Sequence, residues 1–404
     1  MKELETIPQL RFTEFSKEWK PTKLVDHSTS VMYGMNSSAV DYDGKHGYIR
    51  ITDIDDSNCF SPNPLTSPDG QIKDKFRLKG GDLVFARTGA NTGKSYLYKE
   101  SDGEIYFAGF LIKVSVVDAV PEFIFQNTFR PRYDNWVHVM SMRSGQPGIN
   151  AEEYKSYPFY IPERAEQQKI ADFLSSVDKK IALLKEKHAL LEQYKKGVMQ
   201  KLFSQEIRFK DENGNNFPDW QEKPLAQVLV IQVRETPKPN EKYLALGIRS
   251  HVKGTFQKPN FDPTTIMMDK LYIVRPNDLI INITFAWEGA VAIAKNEDDG
   301  GLVSHRFPTY TFKDGESTYR YFKHIISLKR FRYMLDLISP GGAGRNRVLS
   351  KKEFLKLKWN LPNVEEQLKI AGFLDALDNK IELLSQQIEQ TQTFKKGLLQ
   401  KMFV

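Results

Sequence analysis

Two stretches of the chain, 161–203 and 361–403, place apolar residues at alternating intervals of three and four positions. This is the heptad pattern of a coiled-coil helix, and the 34 residues from Ile170 to Phe203 would extend roughly 50 Å. An amphipathic helix packed on its own domain is the alternative interpretation. The apolar seam positions are Ile170, Leu174, Val177, Ile181, Leu184, Leu191, Ile370, Leu374, Leu377, Ile381, Leu384 and Ile388.

The two stretches are copies of one another. At a fixed offset of 200 and without a gap, 19 of the 43 positions are identical. Because the seams match, we expect the helices to pair with each other, and we predict that they run antiparallel. Pro362 and Asn363, with Glu366 three residues later, predict a helix start with a capping box. Lys195 and Lys395 interrupt the seam at equivalent places, which predicts a frayed or exposed end or a docking surface.

A short leading segment opens each copy: an Arg-Phe pair, a tryptophan, and a leucine five residues beyond the tryptophan. These residues are Arg11, Phe12, Trp19 and Leu24 in the first copy and Arg208, Phe209, Trp220 and Leu225 in the second. The boundary between the copies therefore lies near 204–206. We predict globular modules at 1–160 and 206–360, a central spacer helix at 161–205 and a C-terminal spacer helix at 361–404.

The two modules differ more than the helices do, but they share a frame. A turn leads into a strand at Asp82 in the first module and at Asp278 in the second, where the strand is predicted over 279–284. A glycine follows each aspartate eleven residues later, at Gly93 and Gly289. β-rich runs precede a more helical portion in both. Each module is predicted to be a mixed α/β globule, and the chain an α+β protein with a pseudo-twofold internal repeat.

Composition excludes several classes of protein. The 404-residue chain has one cysteine, Cys59, so an intramolecular disulfide and a cysteine-rich zinc site are excluded, which fits a reducing cytoplasm. The N-terminus has no apolar segment of a secretory signal, and no run approaches 18 apolar residues, so neither secretion nor a membrane span is expected. A net charge of +7 and a pI of about 9.0 point mildly to a polyanionic partner.

No catalytic pattern stands out in the sequence. Residues 89–95 resemble a phosphate-binding loop, but Thr88 stands where that motif requires its first glycine, so a hairpin turn with a basic residue is the preferred interpretation. The seven histidines show no metal-ligand spacing. No motif for methylation of a base amino group and no cluster of nuclease carboxylates is present. We expect a protein that is not an enzyme and that holds no metal or cofactor of its own.

Basic residues concentrate in the second module. Residues 320–358 contain eleven lysines and arginines against two acidic residues, whereas residues 121–158 of the first module are neutral. Such a surface can bind the phosphates of a nucleic acid without reading its sequence. A solvated basic face without a ligand is the alternative. The stretch therefore favours nucleic acid as the partner for one module only.

Two glycine-rich loops, 144–148 and 341–344, lie at corresponding places and are followed by polar residues. Arginine and asparagine can read guanine and adenine through two hydrogen bonds, so we predict that Arg345 and Arg347 lie near base edges, with Lys351 and Lys352 on phosphates. Alternatively, these arginines cap a helix end or pair with Asp336. The predicted DNA-contacting residues are Arg87, Thr88, Asn91, Lys94, Arg143, Gln146, Asn282, Thr284, Trp287, Arg345, Asn346, Arg347, Lys351 and Lys352.

Both long helices open with Pro-x-x-x-Glu-Gln-x-x-Ile-Ala-x-Phe-Leu and close with Lys-Lys-Gly-x-x-Gln-Lys. With these motifs on two helices that alternate with two variable modules, the whole chain resembles the specificity subunit of type I restriction–modification enzymes. Residues 82–89 and 144–150 also resemble the framework of that family's first module. The second module departs from it, because residues 282–285 replace the Arg-Thr-Gly turn, so the roles of Arg87 and Thr88 do not transfer to that half.

The resemblance implies a division of labour. Each module would be a target recognition domain that reads one half of a split DNA sequence, and the helix pair would act as a spacer that sets the unread gap. Two modification subunits, which carry the S-adenosylmethionine site, would dock on the helices. Motor-nuclease restriction subunits would add cleavage that depends on ATP and magnesium. Half-sites one helical turn apart, around 34 Å, suit a spacer of roughly 50 Å.

Two other classes of function stay open at the level of sequence. One is a self-contained DNA methyltransferase or endonuclease, against which the missing methylation motif counts. The other is a coiled-coil scaffold that binds proteins and no DNA, against which the basic stretch at 320–358 counts. The base sequence of either half-site cannot be inferred from residue types alone.

Overall fold

The computed structural model of the protein describes residues 6–142, 147–341 and 347–404. Its contacts divide the chain into two compact units: unit 1 is Met1–Lys187 with Leu384–Val404, and unit 2 is His188–Leu383. Each long helix therefore contributes one half to each unit. These limits differ from the four segments predicted from the sequence, because the packing of the helix ends decides which residues share a core.

Unit 1 carries a sheet that is covered on both faces. Its strands are β1 Lys20–Lys23, β2 Ser28–Tyr33, β3 Ala39–Asp41, β4 Gly47–Ile49, β5 Thr66–Pro68, β6 Asp82–Ala86, β7 Ser95–Leu97, β8 Ile105–Phe107, β9 Leu111–Val116 and β10 Pro158–Ile161, and its helices are α1 Pro121–Asn127, α2 Pro131–Ser141, α3 Ala151–Lys155 and the first half of α4 Arg164–Phe203. Strands β2-β9-β6-β7 form an antiparallel sheet in that order. Leu83 and Phe85 pack in one apolar cluster, while Val84 and Ala86 pack in another. This double burial explains why β6 is apolar without alternation.

Unit 2 contains one four-stranded sheet and one five-stranded sheet. Its strands are β11 Gln221–Pro224, β12 Leu229–Gln232, β13 Glu235–Pro237, β14 Tyr243–Ile248, β15 Thr255–Phe261, β16 Lys270–Ile273, β17 Leu279–Ile281, β18 Val291–Ile293, β19 Leu302–Val303, β20 Thr309–Phe312 and β21 Lys358–Leu361, and its helices are α5 Leu225–Val228, α6 Tyr319–Ile325, α7 Lys329–Leu337, α8 Lys351–Lys356 and the first part of α9 Val364–Lys401. The sheet orders are β12-β20-β17-β18 and β13-β16-β19-β14-β15. The strand predicted over 279–284 is wrong at its end, because β17 stops at Ile281 and the side chain of Asn282 accepts a hydrogen bond from the backbone of Thr284 (3.1 Å), which turns the chain.

The frame shared by the two modules is confirmed. Asp82 accepts a hydrogen bond from the backbone N–H of Lys79, and Asp278 accepts one from that of Arg275, each at 2.9 Å, so both carboxylates close the turn before a central strand. The short strands of each leading segment also match. β1 pairs with β10 and β11 pairs with β21, both antiparallel. Each module is therefore closed by a two-stranded ribbon just before its long helix begins.

The predicted antiparallel seam is confirmed within each unit. In unit 1, the start of α4 shares an apolar cluster with the end of α9, formed by Ile170, Leu174, Val177, Ile181, Leu398, Leu399, Met402 and Phe403. In unit 2, Ile370, Leu374 and Leu377 at the start of α9 pack with Leu202 at the end of α4. Seam positions are buried or half-buried along both helices, as a heptad pattern requires. The alternative of a helix that packs only on its own module is excluded.

The prediction of frayed or exposed helix ends at the seam lysines is wrong, whereas the alternative of a docking surface stays a prediction. In unit 1, Lys395 pairs with Asp178 across the two helices at 2.7 Å, and its ammonium lies 4.3 Å from the ring centre of Phe129. In unit 2, Lys195 pairs with Asp378. The lysine stem fills the seam while its charge reaches the neighbouring helix, so each interruption is matched by an acid on the partner helix. Equivalent pairs in both units fix the same antiparallel register.

The Glu-Gln pair of the helix-opening motif connects the leading segment of unit 1 to α4. The carboxylate of Glu166 accepts two hydrogen bonds from Arg11, both 2.7 Å, and one from the indole of Trp19 at 3.3 Å. Gln167 accepts from the backbone of Val120 at 2.9 Å, at the start of α1. One dipeptide therefore joins the leading segment, the module and the spacer helix.

The same network recurs in unit 2. Glu366 accepts from Arg208 at 3.1 and 2.8 Å and from the indole of Trp220 at 3.1 Å. The predicted helix start holds, because Asn363 accepts from the backbone N–H of Glu366 at 3.0 Å. The second half of the predicted capping box is wrong, since the carboxylate of Glu366 binds the leading segment instead. Burial of a carboxylate without a cation costs more free energy than one further capping hydrogen bond contributes, so Glu366 pairs with Arg208.

Candidate nucleic-acid interface

In unit 1, the loop that leaves β6 lies against the described end of the glycine-rich loop. The backbone N–H of Ile149 donates to the carbonyl of Arg87 at 2.9 Å, and that of Gly89 donates to the carbonyl of Pro147 at 3.1 Å. Thr88 and Gly148 form an isolated antiparallel bridge. Two of the predicted DNA-contacting residues, Arg87 and Thr88, therefore sit where both loops meet.

Unit 2 repeats this arrangement with different side chains. The backbone N–H of Leu349 donates to the carbonyl of Ile283 at 2.8 Å, which is the counterpart of the Ile149–Arg87 bond. The guanidinium of Arg347 lies 5.1 Å from the ring centre of Trp287. The predicted residues after β17 are thus next to the predicted residues after the second glycine-rich loop.

A glycine allows each strand-end loop to approach a helix closely. Gly93 has a φ of +92°, and a Cβ placed there would lie 2.6 Å from Cγ1 of Val137 on α2. Gly289 has a φ of +77°, and a Cβ there would lie 2.9 Å from Cδ of Arg332 on α7. Both residues adopt the left-handed region that glycine accepts without strain. The match predicted between these two glycines is confirmed, and it shows that α2 and α7 are equivalent.

The structure places the remaining predicted residues as follows. Lys94 forms an ion pair with the exposed carboxylate of Asp56 at 2.7 Å, and Asn91 is half-buried in the turn between β6 and β7. That turn fits the hairpin interpretation of residues 89–95. Lys351 donates to the carbonyl of His305 at 3.1 Å, and Lys352 is exposed in the first turn of α8. The predicted residues Arg143, Gln146, Arg345 and Asn346 lie outside the described part of the chain.

Arg347 adopts the alternative arrangement considered for it. Its guanidinium donates to the carbonyls of Asp336 and Ser339, at 3.1 and 3.2 Å, and pairs with the carboxylate of Asp336. It thereby caps the C-terminal end of α7, where a cation is favoured by the helix dipole. Its Nε and one of its two terminal nitrogens are thus engaged inside unit 2.

Three of the eleven basic residues in 320–358 pair with acids that lie outside that stretch in the sequence. Arg320 and Lys323 both pair with Asp375, at 2.9 and 2.6 Å, and Lys358 pairs with Glu222 at 3.2 Å. The charge excess counted along the sequence therefore overstates the positive field of this surface. Phosphate binding depends on the cations that remain, such as Lys352.

Sequence reasoning missed several residues beside these loops. In unit 1, Tyr33 and Phe110 flank Arg87, whose guanidinium carbon lies 5.0 and 5.9 Å from their ring centres. In unit 2, Arg306 donates to the hydroxyl of Thr284 at 3.2 Å. These residues come from distant positions in the sequence, and the aromatic–arginine contact has no local motif.

One group of side chains in the described residues has the composition of a metal site. Ligand atoms of His324, Asp375 and Asp378 lie within 4.8 Å of one another. Burial, together with the nearby charge of Lys323, lowers the pKa of His324 to about 4. Asp375 and Asp378 are already bound by lysine and arginine, as described above. The cations of the chain take the place that a metal ion would need, so this group is a structural ion-pair network.

None of the described helices is long and apolar enough to cross a membrane. The family model for the type I restriction modification DNA specificity domain matches the chain twice, over residues 19–193 and 218–392. The two matches follow the two copies of the internal repeat.

Two curated relatives come from Methanocaldococcus jannaschii. The putative type I restriction enzyme MjaX specificity subunit is 24% identical over 421 residues, which cover 98% of this chain and 95% of the relative. The type I restriction enzyme MjaVIII specificity subunit is 21% identical over 333 residues, or 79% and 77% of the two chains. Among solved structures, the S subunit of a type I restriction-modification system from M. genitalium aligns with a TM-score of 0.61 at 15% identity, covering 98% and 99% of the two chains. That likeness confirms the α+β fold with its two modules and long helices.

Proposed function

The chain belongs to the family of type I restriction–modification DNA specificity subunits, and from that premise we propose that each unit reads one half of a split DNA target. The observation that carries the proposal is the pair of loops found at the same place in both units. The frame that holds each pair is equivalent, down to the bonds from Ile149 to Arg87 and from Leu349 to Ile283. The side chains on the frame differ. An equal frame with unlike side chains is what two readers of two different half-sites require.

The helix pair serves in this proposal as the spacer between the half-sites and as the docking surface for modification subunits. The 40 residues of α4 correspond to about 60 Å of helix. Outside the seam, several large apolar side chains are exposed on the two helices, namely Leu183, Leu190, Tyr194, Leu383 and Phe394. Exposed apolar residues on a helix face support a protein contact.

The chain's own part in this proposal is recognition and not catalysis. S-adenosylmethionine would be held by two modification subunits, and ATP and magnesium by restriction subunits, with all of them meeting DNA in the cytoplasm. A related solved structure describes complex assembly and conformational transition of the type I system. The competing proposal of a self-contained methyltransferase or endonuclease lacks support, since the carboxylates of Asp375 and Asp378, which lie beside His324 in unit 2, are bound by lysine and arginine.

Exchange of one module tests the division between the two readers. Residues 21–160 of this chain are replaced by the corresponding residues of another specificity subunit, and the complex is formed with the modification subunits. Sequencing of methylated host DNA should show that one half of the recognised sequence changes while the other half and the gap stay the same. If both halves change together, the units are not independent readers.

A further inference from the structure

The two units place an arginine against the same pair of loops, but from different elements. In unit 1 this arginine is Arg87, which directly follows β6. The corresponding residue in unit 2 is Ile283, because the carbonyl of each accepts the equivalent hydrogen bond from the residue after the glycine-rich loop. In unit 2 the arginine is Arg332 on α7. The corresponding residue in unit 1 is Val137 on α2, because Arg332 packs on Gly289 and Val137 packs on the equivalent Gly93. Each unit therefore has arginine at one of the two places and an aliphatic residue at the other.

Arg87 is held firmly, and no acidic residue in the described part of the chain forms an ion pair with it. Its backbone N–H donates to the carbonyl of Phe110 at 3.1 Å and its carbonyl accepts from Ile149 at 2.9 Å. The rings of Tyr33 and Phe110, both exposed, lie beside its guanidinium, and the hydroxyl of Tyr33 accepts from the backbone of Ala151. The Nε of Arg87 is buried without a hydrogen-bond partner among the described residues. The flat guanidinium is thus oriented by the rings and left with donors to spare.

Arg332 resembles Arg87 in the burial of its Nε. Its Cδ packs against Gly289 at the strand-end loop of unit 2, and its Nε is also buried without a hydrogen-bond partner in the part of the chain that the structure describes. As whole residues, Arg87 and Arg332 are only half-buried, so each side chain reaches from the interior towards solvent. Arg347, next to the same loop, differs because its Nε and one terminal nitrogen bind Ser339 and Asp336, and the latter is an acid.

We propose that Arg87 and Arg332 are the base-reading arginines of the two half-sites and that each recognises a guanine. The inference rests on the proposed function and assigns a residue and a base class to each unit. O6 and N7 of guanine offer two acceptors in the plane that a guanidinium fork matches. An arginine that is positioned, partly desolvated and without an acid partner keeps its donors for such an acceptor, whereas Arg347 does not.

The test replaces each arginine with lysine, which keeps the charge and the apolar stem but loses the planar fork. Arg87→Lys, Arg332→Lys and, as a matched control, Arg347→Lys are each assembled with the modification subunits, and methylated host DNA is sequenced. Arg87→Lys should weaken selection of one guanine in the half-site that the module exchange assigns to unit 1, by about 5- to 150-fold. Arg332→Lys should do the same in the other half-site. Arg347→Lys should leave both halves unchanged.

If a variant methylates too few sites for a motif to be determined, its DNA binding is measured instead. Binding is compared on the wild-type target and on the same duplex with 7-deazaguanine, which lacks N7, at the assigned guanine. The wild-type complex should lose affinity on the modified duplex, and the lysine variant should lose less affinity than the wild-type complex does. The inference is overturned if the lysine variants keep the wild-type discrimination, or if Arg347→Lys alone relaxes a guanine. A wild-type complex that yields no split motif would instead refute the proposed function.

Discussion

Replacing Arg11 with leucine is expected to lower the free energy of unfolding of unit 1 by about 3–5 kcal/mol. The side chains of Arg11 and Glu166 are 11% and 1% exposed, so the substitution leaves a carboxylate in the interior with only the indole of Trp19 as a donor. A buried charge without its partner costs more than the pair itself contributes. The measurement is urea unfolding of the full chain, followed by circular dichroism.

The chain offers a matched control six residues away. Lys17 pairs with Glu163 at 2.8 Å, but these side chains are 80% and 41% exposed, so Lys17→Leu should leave the free energy of unfolding nearly unchanged. The double variant Arg11→Leu with Glu166→Leu should recover most of the loss, because no buried charge remains. Equal costs for Arg11→Leu and Lys17→Leu would show that Glu166 is not the charged anchor of the leading segment.

Phe403→Ala is expected to destabilise unit 1 by about 3–5 kcal/mol, although this residue lies more than 200 positions away from most of that unit. Its ring stacks on Phe123 at 5.1 Å and meets Trp19 edge-on at 5.9 Å, and the guanidinium of Arg130 lies 5.2 Å from the ring centre. Truncation leaves a cavity among rings that belong to the leading segment and α1. The loss should appear in thermal and urea unfolding of the full chain.

Phe394, which lies on α9, provides the comparison. Its side chain is 56% exposed, so Phe394→Ala removes the same atoms without opening a cavity and should change stability by less than about 0.5 kcal/mol. Phe203 holds the corresponding place in unit 2, where its ring lies 5.7 Å from that of Tyr321. If Phe403→Ala proves as mild as Phe394→Ala, the end of α9 does not complete the core of unit 1.

The parts of the fold that could be predicted from the sequence are those marked by a regular spacing of apolar residues or by the internal repeat. The heptad seam, the antiparallel pairing and the shared frame at Asp82 and Asp278 all follow from spacing, because spacing decides which side chains share a face. The seam lysines could not be interpreted in this way. Their partners, Asp178 and Asp378, are on the other helix, and only the register of the pair brings them within reach.

The candidate interface was only partly predictable. Loop residues such as Arg87 and Thr88 were found by their type and their place after a strand, and the structure does bring both loops together. Arg332 could not be found, because on α7 it looks like one more charge in a basic stretch until the packing on Gly289 is known. The acids that pair with Arg320, Lys323 and Lys358 of the basic stretch could not be identified either, since they come from distant segments.

The central claim is that one chain holds two different readers separated by a fixed spacer. The most direct measurement is the set of sites methylated in host DNA when the wild-type chain is expressed with its modification subunits. We predict a single motif with two short, unlike specific blocks on either side of an unread gap of constant length, near one turn of DNA. An uninterrupted motif, or a gap that varies in length from site to site, would contradict this account.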